Sequence, residues 1–168
     1  EEVFGGSVPK NYFPAVEKGL VETFEKGPLA GFPVINVKAT LFDGSYHSVD
    51  SNEISFKMAA LLAFRKACET AEPTILEPIL KMEIEVKEQY VGDVMGDMNK
   101  RRGKVLGMKQ SEDGNQIIEA EAPEAEVLSY TIDLKAMTQG SGSFQREFVR
   151  YEEVPQHLIK GVIEKYKE

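Results

Sequence analysis

The feature that most constrains this chain is a hydrophobic period that keeps changing between Leu80 and Tyr151. Leu80, Met82, Ile84 and Val86 alternate with Lys81, Glu83, Glu85 and Lys87, as a strand with one wet face requires. The stretch "EQYVGDVMGDMNKRRG" then sets Tyr90, Val91, Val94, Met95 and Met98 on one helical stripe, with Gly103 as its stop. "KVLGMKQ" and "NQIIEAEA" read as short strands joined by the turn "SEDG". Pro123 opens a second helix carrying Val127, Tyr130, Thr131 and Leu134, and "GSFQREFVRY" supplies a last strand. Strand, helix, strand, strand, helix, strand is the split-βαβ, ferredoxin-like plan, an antiparallel sheet with two helices on one face.

The first part of the chain reads differently. Ser7 is positioned to cap a helix with Phe13, Val16, Leu20 and Phe24 on one side, ended near Gly27-Pro28. "FPVINVKATLF" follows as a β-branched strand with one buried face. A helix from Asn52 to about Glu72 begins with a capping box between Asp50 and Glu53 and is apolar around much of its girth, which predicts packing on more than one face. Pro73 and Pro78 mark "EPTILEP" as a linker. The tail "PQHLIKGVIEKYKE" carries Leu158, Ile159, Val162, Ile163 and Tyr166 on one face, after a sheet unit that already has its two helices. It is expected to fold back on the first part, giving an α+β chain with domains 1–76 plus 155–168, and 77–154.

Composition excludes several classes. A chain of 168 residues with 42% hydrophobic and 29% charged residues is globular in type, and 20 Lys and Arg against 28 Asp and Glu give a net charge of −8. Indiscriminate binding to phosphate backbones is therefore not expected, and any nucleic-acid contact must be local. Cys68 has no partner for an internal disulfide, which fits a reducing, cytoplasmic setting. The apolar run Met58–Phe64 is too short to span a bilayer, so no membrane role is expected. The chain contains no Gly-rich phosphate loop ending in Lys-Ser/Thr, no CxxC, no HExxH and no Gly-x-Ser-x-Gly. With His47 and His157 as its only histidines, it is expected to hold no catalytic residue, metal or cofactor.

Two clusters remain. In "FDGSYHSVDSNE" the turn and cap need only the Asp, Gly, Ser and Asn residues, so the rings of Tyr46 and His47 are surplus. Either Tyr46 folds under the loop and His47 is an idle exposed imidazole, or both rings present a tip to bases or backbone of single-stranded RNA. Lys100, Arg101, Arg102 and Lys104 end a helix, where they complement its negative terminus or form a phosphate-contacting patch.

The stretches "FGGSVPKNYFPAVEKG", "LAGFPVINVKATLFDGSYHSVDSNE", "GDVMGDMNKRRG" and "YEEVP" closely resemble the fourth and fifth domains of bacterial elongation factor G. The resemblance implies a ribosomal-protein-like fourth domain lacking its opening strands, followed by a ferredoxin-like fifth. It implies that Gly44, Ser45, Tyr46, His47, Ser48, Val49 and Asp50 form a tip that enters the decoding-centre A site against tRNA and mRNA during translocation. Lys100, Arg101, Arg102 and Lys104 would contact ribosomal RNA, and the other partners would be the GTPase and middle domains of a parent chain. GTP and magnesium would belong to that parent. Two residues depart from the family pattern: Ser48 stands where the loop usually has an acid, and Arg146 where the last strand usually has an apolar residue. Other readings are an elongation factor G paralogue, a ribosomal protection protein of the tetracycline-resistance kind, or an acylphosphatase-like enzyme in which Asn99 and Arg101 or Arg102 handle phosphate.

Overall fold

In the computed structural model, Val3 and residues 6–166 are described. The chain divides into two compact units, Glu1–Ile75 with Pro155–Glu168, and Leu76–Val154.

The second unit is the ferredoxin-like one. Its elements run β1 (Leu76–Val86), α3 (Val91–Lys100), β2 (Lys104–Gln110), β3 (Gln116–Pro123), α4 (Tyr130–Met137) and β4 (Ser143–Glu153), where α1 and α2 belong to the first unit. The four strands are ordered β2-β3-β1-β4, with every neighbouring pair antiparallel. Met82 and Ile84 of β1 and Ile118 and Ala120 of β3 pack against Val94 and Met98 of α3 and Tyr130 and Leu134 of α4, all essentially solvent-free. Alternation in β1 sends Lys81, Glu83 and Glu85 to the other face, where the charges pair across strands. There the Lys109 ammonium lies 2.7 Å from Glu119 and 3.4 Å from Glu83, and the Arg150 guanidinium 2.7 Å from Glu121.

Three boundaries differ from the sequence reading, the first being the second helix of this unit: Pro123 does not open it but ends β3, and α4 begins at Tyr130 after a 3₁₀ turn at Glu124–Glu126. β1 begins at Leu76, so Pro78 lies inside a strand and not in a linker. There β1 pairs with β4 alone, because β3 joins only from Ile79, and an unpaired edge accommodates a residue without an N–H. At the end of α3 the left-handed residue is Arg102, with φ of 58°, and not Gly103. The Gly103 N–H donates back to the Met98 carbonyl at 2.8 Å, and a Cβ on Gly103 would also fall 2.8 Å from that oxygen.

In the first unit α1 (Phe13–Glu25) lies against α2 (Glu53–Thr70). The approach is close because Gly19 has no side chain: a Cβ there would collide with the Lys57 carbonyl oxygen. A Lys57–Glu22 ion pair of 2.6 Å crosses the two helices. Ser7 caps nothing; Pro9 precedes a short 3₁₀ turn, Lys10–Tyr12, that leads into α1. The cap of α2 is Asn52 with Ser55, and not Asp50 with Glu53. The Asn52 side chain accepts from the Ser55 N–H at 2.9 Å, while Ser55 Oγ accepts from the Asn52 N–H at 2.8 Å.

The strand expected over "FPVINVKATLF" is not formed. Among the described residues only two isolated backbone bonds reach it, from the Gly27 N–H to the Phe32 carbonyl at 3.0 Å and from the Val34 N–H to the Phe24 carbonyl at 2.6 Å, and Asn36, with φ of 58°, breaks the run before a ladder can form. Phe32, Ile35, Val37 and Phe42 are consequently exposed. α2 likewise buries one face and not two: Phe56 and Ala60 are covered, while Ile54, Met58 and Leu62 are open. The tail helix α5 (Gln156–Tyr166) groups with this unit, with Leu158, Ile159, Val162 and Ile163 half-buried and the Tyr166 ring 5.0 Å from Phe32.

Four carboxyls of the second unit are held below their usual range by hydrogen bonds: Glu85 by Asn115, Glu119 by Lys109, Glu121 by Arg150 and Asp133 by Arg101. Their contribution to stability is fully present above the unfolded values of about 4 and is lost as pH falls through the lowered folded values. Acidification below about pH 4 should therefore lower the exchange protection of β1 and β3 by a modest amount, as screened surface pairs allow. Replacing Lys109 and Arg150 together by Gln should flatten this acid limb, and an unchanged limb would show that the ion pairs do not set it.

Candidate functional site

The loop that links the extended segment to α2 is built from the helix cap outward. Ser51, just before the cap, accepts the His47 N–H on its Oγ at 2.9 Å, and the His47 carbonyl accepts from the N–H groups of Asp50 at 3.2 Å and Ser51 at 2.9 Å. Ser48, Val49 and Asp50 form the turn so closed, with Val49 91% exposed. At the root, the Gly44 N–H donates to Asp43 Oδ1 at 2.8 Å. Val8 is buried beneath Gly44, and its Cγ2 would stand 2.5 Å from any Cβ added there. Ser45 is exposed alongside.

The two rings of the loop part company. Tyr46 leans on Tyr12 with ring centroids 5.9 Å apart, and Tyr12 stacks on Phe56 of α2 at 4.6 Å, so three rings form a ladder from helix to loop. Tyr46 is nevertheless 43% exposed: it anchors with one side and presents the other. The imidazole of His47 is exposed and makes no hydrogen bond among the described residues, while its own backbone groups close the turn. The loop carries Asp43, Asp50 and Glu53 and no Lys or Arg, so it cannot hold a phosphate by charge; it offers rings and backbone groups instead.

The basic cluster divides as well. Arg101 is held by Asp97 at 2.6 Å, Asp133 at 2.8 Å and the Glu126 carbonyl at 2.7 Å, and lies over the Tyr130 ring. Arg102 grips Glu77 through two bonds of 2.8 Å and Glu126 through one of 3.0 Å. The bond to Glu77 raises the Arg102 pKa and secures its charge. The left-handed backbone of Arg102 is closed by its own N–H to the Asn99 carbonyl at 3.3 Å and by the Gly103 N–H to the Met98 carbonyl at 2.8 Å. Both guanidiniums are thus committed inside the unit, whereas Lys100 and Lys104 are exposed and have no carboxylate partner among the described residues. Asn99 is exposed on α3, and with both guanidiniums occupied it has no phosphate cradle beside it.

Sequence reasoning missed Tyr12. It sits between Pro9 and Pro14, outside any periodic stripe, and no local pattern ties it to a loop more than thirty residues away. The Asp97–Arg101 pair was legible as an i,i+4 spacing, but Glu77, Glu126 and Asp133 reach the cluster only through the fold.

The chain consists of a helical unit with a braced, exposed loop and a ferredoxin-like sheet unit. Residues 1–72 match the family described as elongation factor G, domain IV, and residues 74–162 match the elongation factor G C-terminus. The chain belongs to the elongation factor G family. It is similar to a protein from Thermus thermophilus of known crystal structure, with a TM-score of 0.83 and 42% identity. That match covers 98% of this chain and 25% of the other, so the chain spans about a quarter of its neighbour's length. Among the described residues no helix is long and apolar enough to cross a membrane.

The ladder carries a test. Tyr12→Ala removes its middle ring and two aromatic contacts of about 0.5–1.5 kcal/mol each. Amide exchange between Asp43 and Ser51 should quicken while α3 and β1 keep their protection, and Tyr12→Phe, which loses only the long 3.5 Å bond from the Tyr12 hydroxyl to the Ser51 carbonyl, should keep most of the loop's protection. Equal exchange in the alanine variant and the parent would show that the cap alone shapes the loop.

Proposed function

We propose that this chain is a ribosome-contacting part of a translation elongation factor G-like GTPase, working in the cytoplasm, whose loop Gly44–Asp50 enters the decoding-centre A site against tRNA and mRNA during translocation. The observation that carries the reading is the braced loop: Tyr46 anchored on Tyr12 and Phe56, His47 exposed, and the backbone closed through Ser51. A rigid tip without cations meets RNA by shape, ring stacking and backbone hydrogen bonds, and does so without making or breaking a bond. GTP and magnesium are bound by another part of the parent, which couples hydrolysis to movement of the tip. Ribosomal RNA phosphates are contacted by Lys100 and Lys104, with Arg101 and Arg102 fixing the helix end that presents them.

In the full-length parent, His47→Ala should slow translocation by about tenfold, the cost of roughly 1.4 kcal/mol in the transition state, while ribosome-stimulated GTP hydrolysis stays unchanged. Lys100→Gln with Lys104→Gln should instead leave single-turnover translocation intact and reduce the salt slope of ribosome binding by roughly one for each lysine that touches a phosphate. Wild-type translocation in the His47 variant, or equal loss of both activities, would contradict the tip role.

A further inference from the structure

The second unit has four arginines, and three of them hold two carboxylates each: Arg101 with Asp97 and Asp133, Arg102 with Glu77 and Glu126, Arg150 with Glu121 and Glu152. Arg146 holds none among the described residues. It lies opposite Met82 in the β1–β4 register, which places it on the helix-covered side of the sheet, beyond the cover of α4. There it rims an open cavity of about 400 Å³ between α4 and β4, floored by Leu134 and Phe144 and walled by Leu128 and Thr131. The other cation on the rim is Lys135, whose ammonium donates only to the Gly140 carbonyl, at 3.0 Å.

The strand that borders this cavity is an edge. β4 pairs with β1 alone, and no described strand takes up its outer row of N–H and C=O groups. Further along the same side, Phe148 is 54% exposed and lies 5.0 Å from the Tyr151 ring. In a chain of net charge −8, one place therefore combines a free backbone edge, an apolar hollow and two cations without carboxylate partners.

We infer that the α4–β4 groove is a docking site for an acidic, extended peptide segment of a protein partner. Such a segment adds to the outer edge of β4, inserts an apolar side chain over Leu134 and Phe144, and sets carboxylates against Arg146 and Lys135. Charge complementarity selects an acidic occupant, and the unpaired edge selects a polypeptide over a nucleic acid, whose bases and phosphates do not continue a β-ladder. The site is separate from the loop at Gly44–Asp50 and stands or falls independently of it.

The test titrates a short peptide of alternating valine and glutamate into the full chain and follows backbone amide NMR shifts, with the valine–lysine counterpart and a single-stranded RNA oligonucleotide as comparisons. The acidic peptide should shift the amides of β4 from Gln145 to Val149 and those of Leu134 and Lys135. Arg146→Gln with Lys135→Gln should weaken it by about tenfold, whereas Arg150→Gln, on the opposite face, should not. Unshifted β2 and β3 amides report that the variants remain folded. Stronger shifts of the same amides by the RNA, equal binding of the lysine peptide, β4 shifts that depend on chain concentration alone, or no shifts at all would each overturn the proposal.

Discussion

The stacking of Tyr12 between Tyr46 and Phe56 is the contact on which the exposed end of the first unit depends. A loop of this length has few ways to be rigid, because its backbone groups face water and its side chains are mostly short and polar. The ladder provides one, tying the loop to α2 through ring faces, with the Tyr12 hydroxyl donating to the Ser51 carbonyl at 3.5 Å. The cap at Asn52 and Ser55 provides the other by fixing where the helix begins. With both ends defined, the turn at Ser48–Asp50 has little freedom, and His47 is carried outward on a closed backbone. The close packing that makes this possible starts lower down, at Gly19, where the missing Cβ lets α1 approach α2 and brings the residues before α1 within reach of the loop.

The second unit solves a different problem. Its core is apolar and complete, and three of its four arginines are paired with carboxylates, across the open face of the sheet and around the end of α3. Surface pairs of this kind contribute little individually, but around Arg102 they have a specific task. A residue with a Cβ sits where the backbone favours glycine, and its side chain makes three bonds to Glu77 and Glu126 that offset the strain of that conformation. That use of Arg101 and Arg102 changes how a basic cluster should be read. Four cations adjacent in sequence are not four cations available to a ligand, and only Lys100 and Lys104 project without a carboxylate partner among the described residues.

The sheet unit was legible because its signals are local. Alternation, turn residues and helical stripes each lie within one element, and their order alone defines the plan that the structure shows. Where the decisive partner lies far along the chain, local pattern failed. "FPVINVKATLF" has the composition of a strand, yet no described strand forms a ladder with it and Asn36 turns its backbone left-handed, and α2 has two apolar stripes but only one covered face. Asp50 and Asn52 are both good cap formers, and it is the hydroxyl of Ser55 that decides between them. Of the candidate site, the turn residues and the surplus of Tyr46 and His47 were readable; the brace at Tyr12 was not, because stacking leaves no mark on periodicity. The family match over residues 1–72 and 74–162 supplies the context that spacing alone could not.

The central claim is that the exposed side of this loop meets RNA in the decoding centre. The direct measurement replaces His47 by a photoreactive amino acid in the full-length factor, bound to a ribosome carrying tRNA and mRNA, and maps the crosslinks formed on illumination. Crosslinks to A-site tRNA or to mRNA are predicted, together with their disappearance when Tyr12→Ala releases the loop. Crosslinks confined to the factor itself, or to ribosomal components remote from both RNAs, would contradict the claim.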